Sequence, residues 1–490
     1  MTLPPELLVC SHRGPVSFET VDGRLVAREA GPGGLVQVVS PVLERFGGRW
    51  IFSVATPEDR RVARAEPRGR RMGRVVHQLL DLPAAVHRNH YRTISVEYLG
   101  YLFNRLFHLP TAPAWDDRLA RAWADYRRVN AIYADAALRA PRSDVVLIED
   151  YHLMLAAPAM REQGAAALPP LVYFHHVPWC EPEDLVVVPE GVRNEMLQAL
   201  LAHDVVGFHC TRWARAFVAC CERYVSGAVC TGDRVRWRGR SIRVVAAPAP
   251  IDVASVRAAA SSSGVDDRVA ELRSRAAGRW TLVRVDRADL WKNALRGLLA
   301  FERLLDRDPS LAGRIWFLAV LTPTRTWVAE YRRYLRACRA VAARVNRRHP
   351  PRAGQPDGPV TLMVADGLRA DRDLALAAMR MGDGLLVNPT YDGLNLVAKE
   401  AVAVSGGGLV LILSENAGVH EELCEAALTV NPFDVVQTSE AIRRALDMPD
   451  DERTSRFRVL HHVVTTSTFD RWIARQLEPL GETVRSWRAR

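Results

Sequence analysis

Residues 281–293, TLVRVDRADLWKN, pass from a short apolar, β-branched run into a polar turn and then into a helical pattern that starts at Lys292. Strand, turn and helix in that succession form the unit from which parallel sheets are assembled. The unit recurs. IWFLAVL (315–321) precedes a helix from about Trp327, and VTLMVA (360–365), GLLVNP (384–389) and GLVLILS (408–414) each precede a helix-compatible stretch. The first half repeats the pattern less regularly, in ELLVCS (6–11), VVLIED (145–150), LVYFHH (171–176) and VVGFH (205–209). Such continuous apolar runs suit strands covered on both faces. The expected fold class is α/β, with two doubly wound parallel-sheet domains. AAPAPID (246–252) and the small, polar SSSGVDD (261–267) mark the boundary. Domains 1–250 and 251–466 follow from it, with a helix at about 467–490 packing back on the first.

Composition agrees with a globular chain of two large domains. The 490 residues are 48% hydrophobic and 25% charged, which excludes wholesale disorder. The start, MTLPPELLVCSHRGP, has no basic leader before a long apolar run, and no charge-free stretch of about 18 apolar residues occurs. A cytoplasmic protein without membrane or nucleic-acid partners is the expectation. Net charge is +10, and of 66 cations only Lys292 and Lys399 are lysines. The densest basic run, Asp59–Arg74, lacks interleaved aromatics for base stacking and is read as a solvated loop. None of the eight cysteines forms a C-x-x-C pair, so a zinc site is not expected and reduced thiols are.

Three turns carry candidate chemistry. Arg287 and Lys292 lie five residues apart across a strand-to-helix turn, where both can face one anion at a helix N-terminus. In NPTYDGLNLVAKE (388–400), Asp392 can accept from sugar hydroxyls and Gly393 lets the backbone approach a ligand. The N–H groups of Leu394, Asn395 and Leu396 suit phosphate or sugar oxygens, and Glu400 can accept from a ribose diol. In the first half, Arg13 precedes Gly31, Gly33 and Gly34 in a loop of phosphate-handling type, and Asp150 and His176 end two strands. Asp371-Arg372-Asp373 mimics a metal-binding D-x-D but falls at a helix start. No metal site is expected.

SHRGP, the glycine loop, DYRRVN (125–130), EDYHLML, HHVPW, VDRADLWKN, TPTR (322–325), YDGLNLVAKE, LSENAGVHEEL and VNPFD together resemble glycosyltransferase family 20. That is the trehalose-6-phosphate synthase-like family, validamycin-type pseudoglycosyltransferases included. The resemblance covers most of the chain and implies the GT-B fold, two Rossmann-like domains with an intervening cleft, the first acceptor-side and the second donor-binding. It implies that Arg287 and Lys292 hold a donor diphosphate in place of a metal, and that Glu400 binds the ribose. Asp392 and the amides of Gly393 to Leu396 would grip the donor sugar, and Gly33 and Gly34 would close over it. Asp150 and His176 would contact the reacting sugars, and Arg13, Tyr91 and Arg325 the acceptor phosphate. Three places depart from the family: Gly100 stands where it has tryptophan, Glu149 where it has histidine or asparagine, and TPTR (322–325) where PTSR is commoner. The first is expected to reshape the acceptor site.

The implied function is retaining, metal-independent transfer of a glucosyl-type group from a UDP- or GDP-linked sugar to a phosphorylated sugar, with no cofactor. Two alternatives stay open. One is pseudoglycosyl transfer, forming a C–N bond between a nucleotide-linked cyclitol and an aminocyclitol phosphate. The other is an inert sugar-phosphate binding protein. Homo-oligomerisation is left open as well.

Overall fold

The computed structural model describes residues 6–29, 34–163, 168–365 and 371–481. Gly31 and Gly33 lie outside these residues. Contacts divide the chain into two compact units, Met1–Ala249 with Phe469–Arg490, and Pro250–Thr468.

Unit 1 holds β1 (Leu7–Ser11), β2 (Val16–Val21), β3 (Arg24–Glu29), β4 (Gly48–Ser53), β5 (Arg70–Met72) and β6 (Val75–Leu80), followed by β7 (Val145–Glu149), β8 (Leu171–His175), β9 (Val205–Phe208), β10 (Val229–Thr231), β11 (Arg234–Trp237) and β12 (Arg240–Ala246). Ten of them form one sheet in the order β10-β11-β12-β9-β8-β7-β1-β4-β6-β5. From β12 to β6 all neighbours run parallel, and antiparallel strands close both edges. Every residue of β1, β7 and β8 is buried, the two-sided cover that their unbroken apolar sequences require. The helix Phe469–Leu477 belongs to this unit: Trp472 is 2% exposed and donates from Nε1 to the Ala247 carbonyl at 3.1 Å.

Unit 2 holds β13 (Trp280–Arg287), β14 (Ile315–Thr322), β15 (Val360–Val364), β16 (Gly384–Val387), β17 (Val410–Ser414) and β18 (Leu428–Val430). They form a wholly parallel sheet in the order β15-β14-β13-β16-β17-β18. That is the doubly wound order, and it reverses between β13 and β16. In unit 1 the parallel strands from β6 to β12 advance outward on either side of β1, so the reversal falls between β1 and β7. Ligands of such sheets sit beyond the strands' carboxyl ends at these reversals.

Three sequence expectations change. The helix after β13 begins at Ala294, behind a single 3₁₀ turn Leu290–Lys292, because Asn293 takes a left-handed conformation (φ 63°). SSSGVDD is no linker: Ser262 caps the helix Ser263–Ala276. The basic run at 59–74 is no loop either. It contains most of the helix Pro57–Ala65; Arg60 and Arg64 pair with Asp81, and Arg70 with Glu66. Asp371 caps the helix Arg372–Met381, accepting from the Leu374 amide at 2.9 Å.

Candidate active site

In unit 2 the loops after β13 and β16 flank the reversal, and their charged side chains converge. Asp289 is fully buried and takes two arginines. Arg287 donates to its Oδ2 from Nε at 2.9 Å, and Arg325 donates to its Oδ1. Burial opposes the charge on Asp289, but Arg287, Arg325 and Lys292 outweigh it and hold the carboxyl below its ordinary range. Arg325 also lies over the Trp291 ring, 5.0 Å from its centroid. Lys292 donates to Asp392 Oδ2 at 2.6 Å and stands 3.9 Å from Asp286. Here too burial opposes the charge, and the two carboxylates more than offset it, raising the ammonium's pKa. Asn395 donates to the same Asp392 oxygen at 3.0 Å. Arg284, buried, pairs with Asp286 at 2.8 Å. Four cations therefore face three carboxylates, leaving a positive surplus where an anion would enter.

The loop after β16 is built for close approach. Asn395, at φ 87°, caps the helix Leu396–Val404 by accepting from the Ala398 amide at 3.2 Å. Asp392 pairs through its backbone with Asn416 and Gly418, and a Cβ on Gly418 would stand 1.9 Å from the Gly393 carbonyl oxygen. Glu400 is half-buried on that helix. Lys399 points the other way, fully buried and paired with Glu422 at 2.6 Å.

In unit 1 the loops after β1, β7 and β8 carry the second group. Asp150 adopts φ 72° and ψ 164°, a conformation that costs a non-glycine residue about 1–3 kcal/mol. It is held there because its amide donates to the Phe174 carbonyl at 2.8 Å and its Oδ1 accepts the His176 amide at 3.1 Å. His176 Nε2 meets Glu149 Oε2 at 2.6 Å. His152 lies 3.7 Å from Asp150 and stacks on His12, which stacks in turn on Tyr91 at 4.6 Å. Arg13 lies over the Tyr91 ring at 5.5 Å. Burial keeps His12 well below the ordinary histidine range, and a proton on it would also be repelled by His152, Arg13, His90 and His87.

The structure thus brings Arg287, Lys292, Arg325, Asp392, Gly393, Leu394, Asn395 and Leu396 to one strand reversal, and Asp150, His176, Arg13 and Tyr91 to the other. Gly34 opens the helix Gly34–Phe46. Of eight non-glycine residues with left-handed φ among the described residues, Asp150, Asn293 and Asn395 belong to these loops, and Arg325 to the loop after β14. Sequence reasoning missed Asp289, Asp286, His12 and His152, whose burial and partners only the fold shows. Gly100 is buried, and a Cβ there would lie 3.0 Å from the Ser95 carbonyl oxygen and 3.7 Å from the Tyr151 hydroxyl.

The family profile of Glycosyltransferase family 20 matches residues 5–482. The chain belongs to glycosyltransferase family 20. Alpha,alpha-trehalose-phosphate synthase (UDP-forming) 1 of Arabidopsis thaliana is 32% identical to this family 20 chain over 98% of the chain and 50% of that protein. The chain accordingly spans about half the length of the first curated relatives it matches. A crystal structure of an alpha,alpha-trehalose-phosphate synthase (UDP-forming) from Burkholderia vietnamiensis superposes with a TM-score of 0.81 at 30% identity, covering 98% of this chain and 100% of that one. The corresponding Burkholderia xenovorans enzyme, solved in complex with glucose-6-phosphate, gives 0.81 at 25% identity over 98% and 100%. The fold is GT-B. Among the described residues no group of three or more His, Cys, Asp or Glu could hold a metal ion, and no helix is long and apolar enough to cross a membrane.

Proposed function

We propose that this chain is a retaining glycosyltransferase of the trehalose-6-phosphate synthase type. It moves a glucosyl group from a UDP-linked donor to glucose 6-phosphate, in the cytoplasm and without a cofactor. The observation that carries the reading is the convergence of Arg287 and Lys292 with the 392–396 loop at the β13/β16 reversal. The relatives' names supply the nucleotide and the product class, and the glucose-6-phosphate complex of a relative supplies the acceptor.

Lys292 and Asp392 are paired at 2.6 Å. A diphosphate brings enough negative charge to draw the ammonium away, and the Asp392 carboxylate so released accepts from sugar hydroxyls. Arg287 adds a second cation, and the amides of Leu394, Asn395 and Leu396, at a helix N-terminus, add partial positive charge. In this reading the two cations replace a divalent metal. As the bond from the sugar's anomeric carbon to the diphosphate oxygen breaks, charge builds on the leaving phosphate. That phosphate takes the proton of the acceptor hydroxyl, whose oxygen forms the new bond on the same face. The protein's work is positioning and charge stabilisation, about 3 kcal/mol for each well-placed donor. Arg13 and Tyr91 suit the acceptor phosphate, and Asp150 and His176 the reacting sugars. Glu400 suits the ribose of the nucleotide.

Incubation with UDP-glucose and glucose 6-phosphate, read by mass spectrometry, tests this. A disaccharide phosphate and UDP are expected. Turnover only with an aminocyclitol phosphate would transfer the reading to C–N coupling, and no product from any pair would leave an inert binder.

A further inference from the structure

Glu149 stands at the last position of β7, wholly buried, with one carboxylate oxygen on His176 Nε2 at 2.6 Å and the other without a partner among the described residues. A buried carboxylate with a single hydrogen-bond partner is tolerable only if that partner is charged or the acid is protonated. The 2.6 Å separation is at the short end of charge-assisted bonds. We propose that Glu149 is a positioning residue that holds His176 as an imidazolium and fixes its ring so that Nδ1–H is the donor offered to the sugar substrates. What Nδ1 meets rests on the functional reading above; the ion pair does not.

The groups facing His176 from each neighbouring element favour this state. From the β7 end come two carboxylates, Glu149 at the ring and Asp150 accepting the His176 amide. From β8 itself, His175 is pushed by burial down to about 3, so it brings no competing charge. After β9, His209 presents its ring edge-on at 5.1 Å. His152 reaches the same environment only through Asp150, at 3.7 Å. Burial opposes charge on His176, but the Glu149 hydrogen bond and the charges of Glu149 and Asp150 outweigh it, and the imidazole's pKa is raised. Among the described residues Nδ1 has no hydrogen-bond partner, and it is not one of the sealed, unpartnered atoms. With Nε2 committed to Glu149, a substrate oxygen can meet only Nδ1. Were Glu149 neutral, burial would leave an uncharged imidazole, and Nδ1 could present a bare lone pair instead of a proton.

The test is a pH titration of the full chain labelled with ¹³C-histidine, the His176 signal assigned by its loss in His176→Gln. In the wild-type protein the His176 midpoint is expected above the ordinary value of about 6.5. In Glu149→Gln, which keeps an acceptor and removes the charge, it should fall by at least about one pH unit. The sign follows: the imidazolium is present below its midpoint and lost as pH rises through it. The alkaline limb of kcat should therefore move to lower pH in Glu149→Gln while KM for the donor changes little. A wild-type midpoint below 6.5, or the same midpoint in Glu149→Gln, overturns the proposal, and the wild-type measurement needs no variant to fold. A protein that transfers no sugar yet titrates high at His176 would sink the functional reading and leave the ion pair standing.

Discussion

Arg287 and Lys292 are five residues apart but differ in what holds them. Arg287 remains 53% exposed beside Asp289, whereas Lys292 is 14% exposed and paired with Asp392. Arg287→Ala should abolish transfer at the smaller cost in stability, because the buried Asp289 keeps Arg325 as a partner. Lys292→Ala should abolish transfer and also cost about 3 kcal/mol, since it strands buried carboxylates. Urea melts alongside the activity assay separate the two. Asp289 yields a pH prediction. Its carboxyl is held below the ordinary range, so its contribution to stability is complete above about pH 3.9 and is lost as pH falls through the lowered value. Asp289→Asn should flatten that acid limb, and should also weaken donor binding by loosening Arg287 and Arg325 together. Acid-titrated melts of both proteins check it. Arg287 and Lys292 could be read from the sequence because cations at a strand-to-helix turn have a chemical meaning. Asp289 could not, because an acid between two cations is equally a solvated loop residue until its burial is known.

Between elements, the donor loop depends on a glycine outside it. Gly418 leaves no room for a Cβ against the Gly393 carbonyl, so Gly418→Ala must push the 392–394 backbone away. A loss of about 1–3 kcal/mol in stability is expected, together with a raised KM for the nucleotide sugar rather than for the acceptor. Unchanged donor kinetics would mean that the contact does not set the loop. The strands β13 to β17 were legible because burial on both faces leaves unbroken apolar runs. The hairpin β2–β3 was absorbed into a loop, although Asp22-Gly23, at φ 48° and 73°, is the turn such hairpins favour. The π-helical stretch Asn89–Leu99, which carries Tyr91, has no sequence signature. It ends where the Gly100 amide reaches the Ser95 carbonyl five residues back. Any side chain at 100 would bring its Cβ to 3.0 Å from that same carbonyl oxygen, so the end of this helix leaves little room there.

At the scale of the whole molecule, the chain leaves unit 1 at Pro250 and returns to it through the helix Phe469–Leu477. Trp472 anchors the return, touching Phe174 of β8 at 5.3 Å between ring centroids as well as the Ala247 carbonyl. Trp472→Ala should destabilise unit 1 by about 3–5 kcal/mol, seen as an earlier unfolding step in guanidinium, while UDP still protects unit 2. The two doubly wound sheets were readable from alternation alone. That the loops after β13 and β16 flank one strand reversal emerged only from strand order, which no local pattern encodes. The central claim is that Arg287 and Lys292 receive a diphosphate, and calorimetric titration of UDP into the intact chain tests it most directly. Binding should weaken at least about tenfold in Arg287→Ala and again in Lys292→Ala, each tenfold being about 1.4 kcal/mol. UDP affinity equal to wild type in both variants would contradict it.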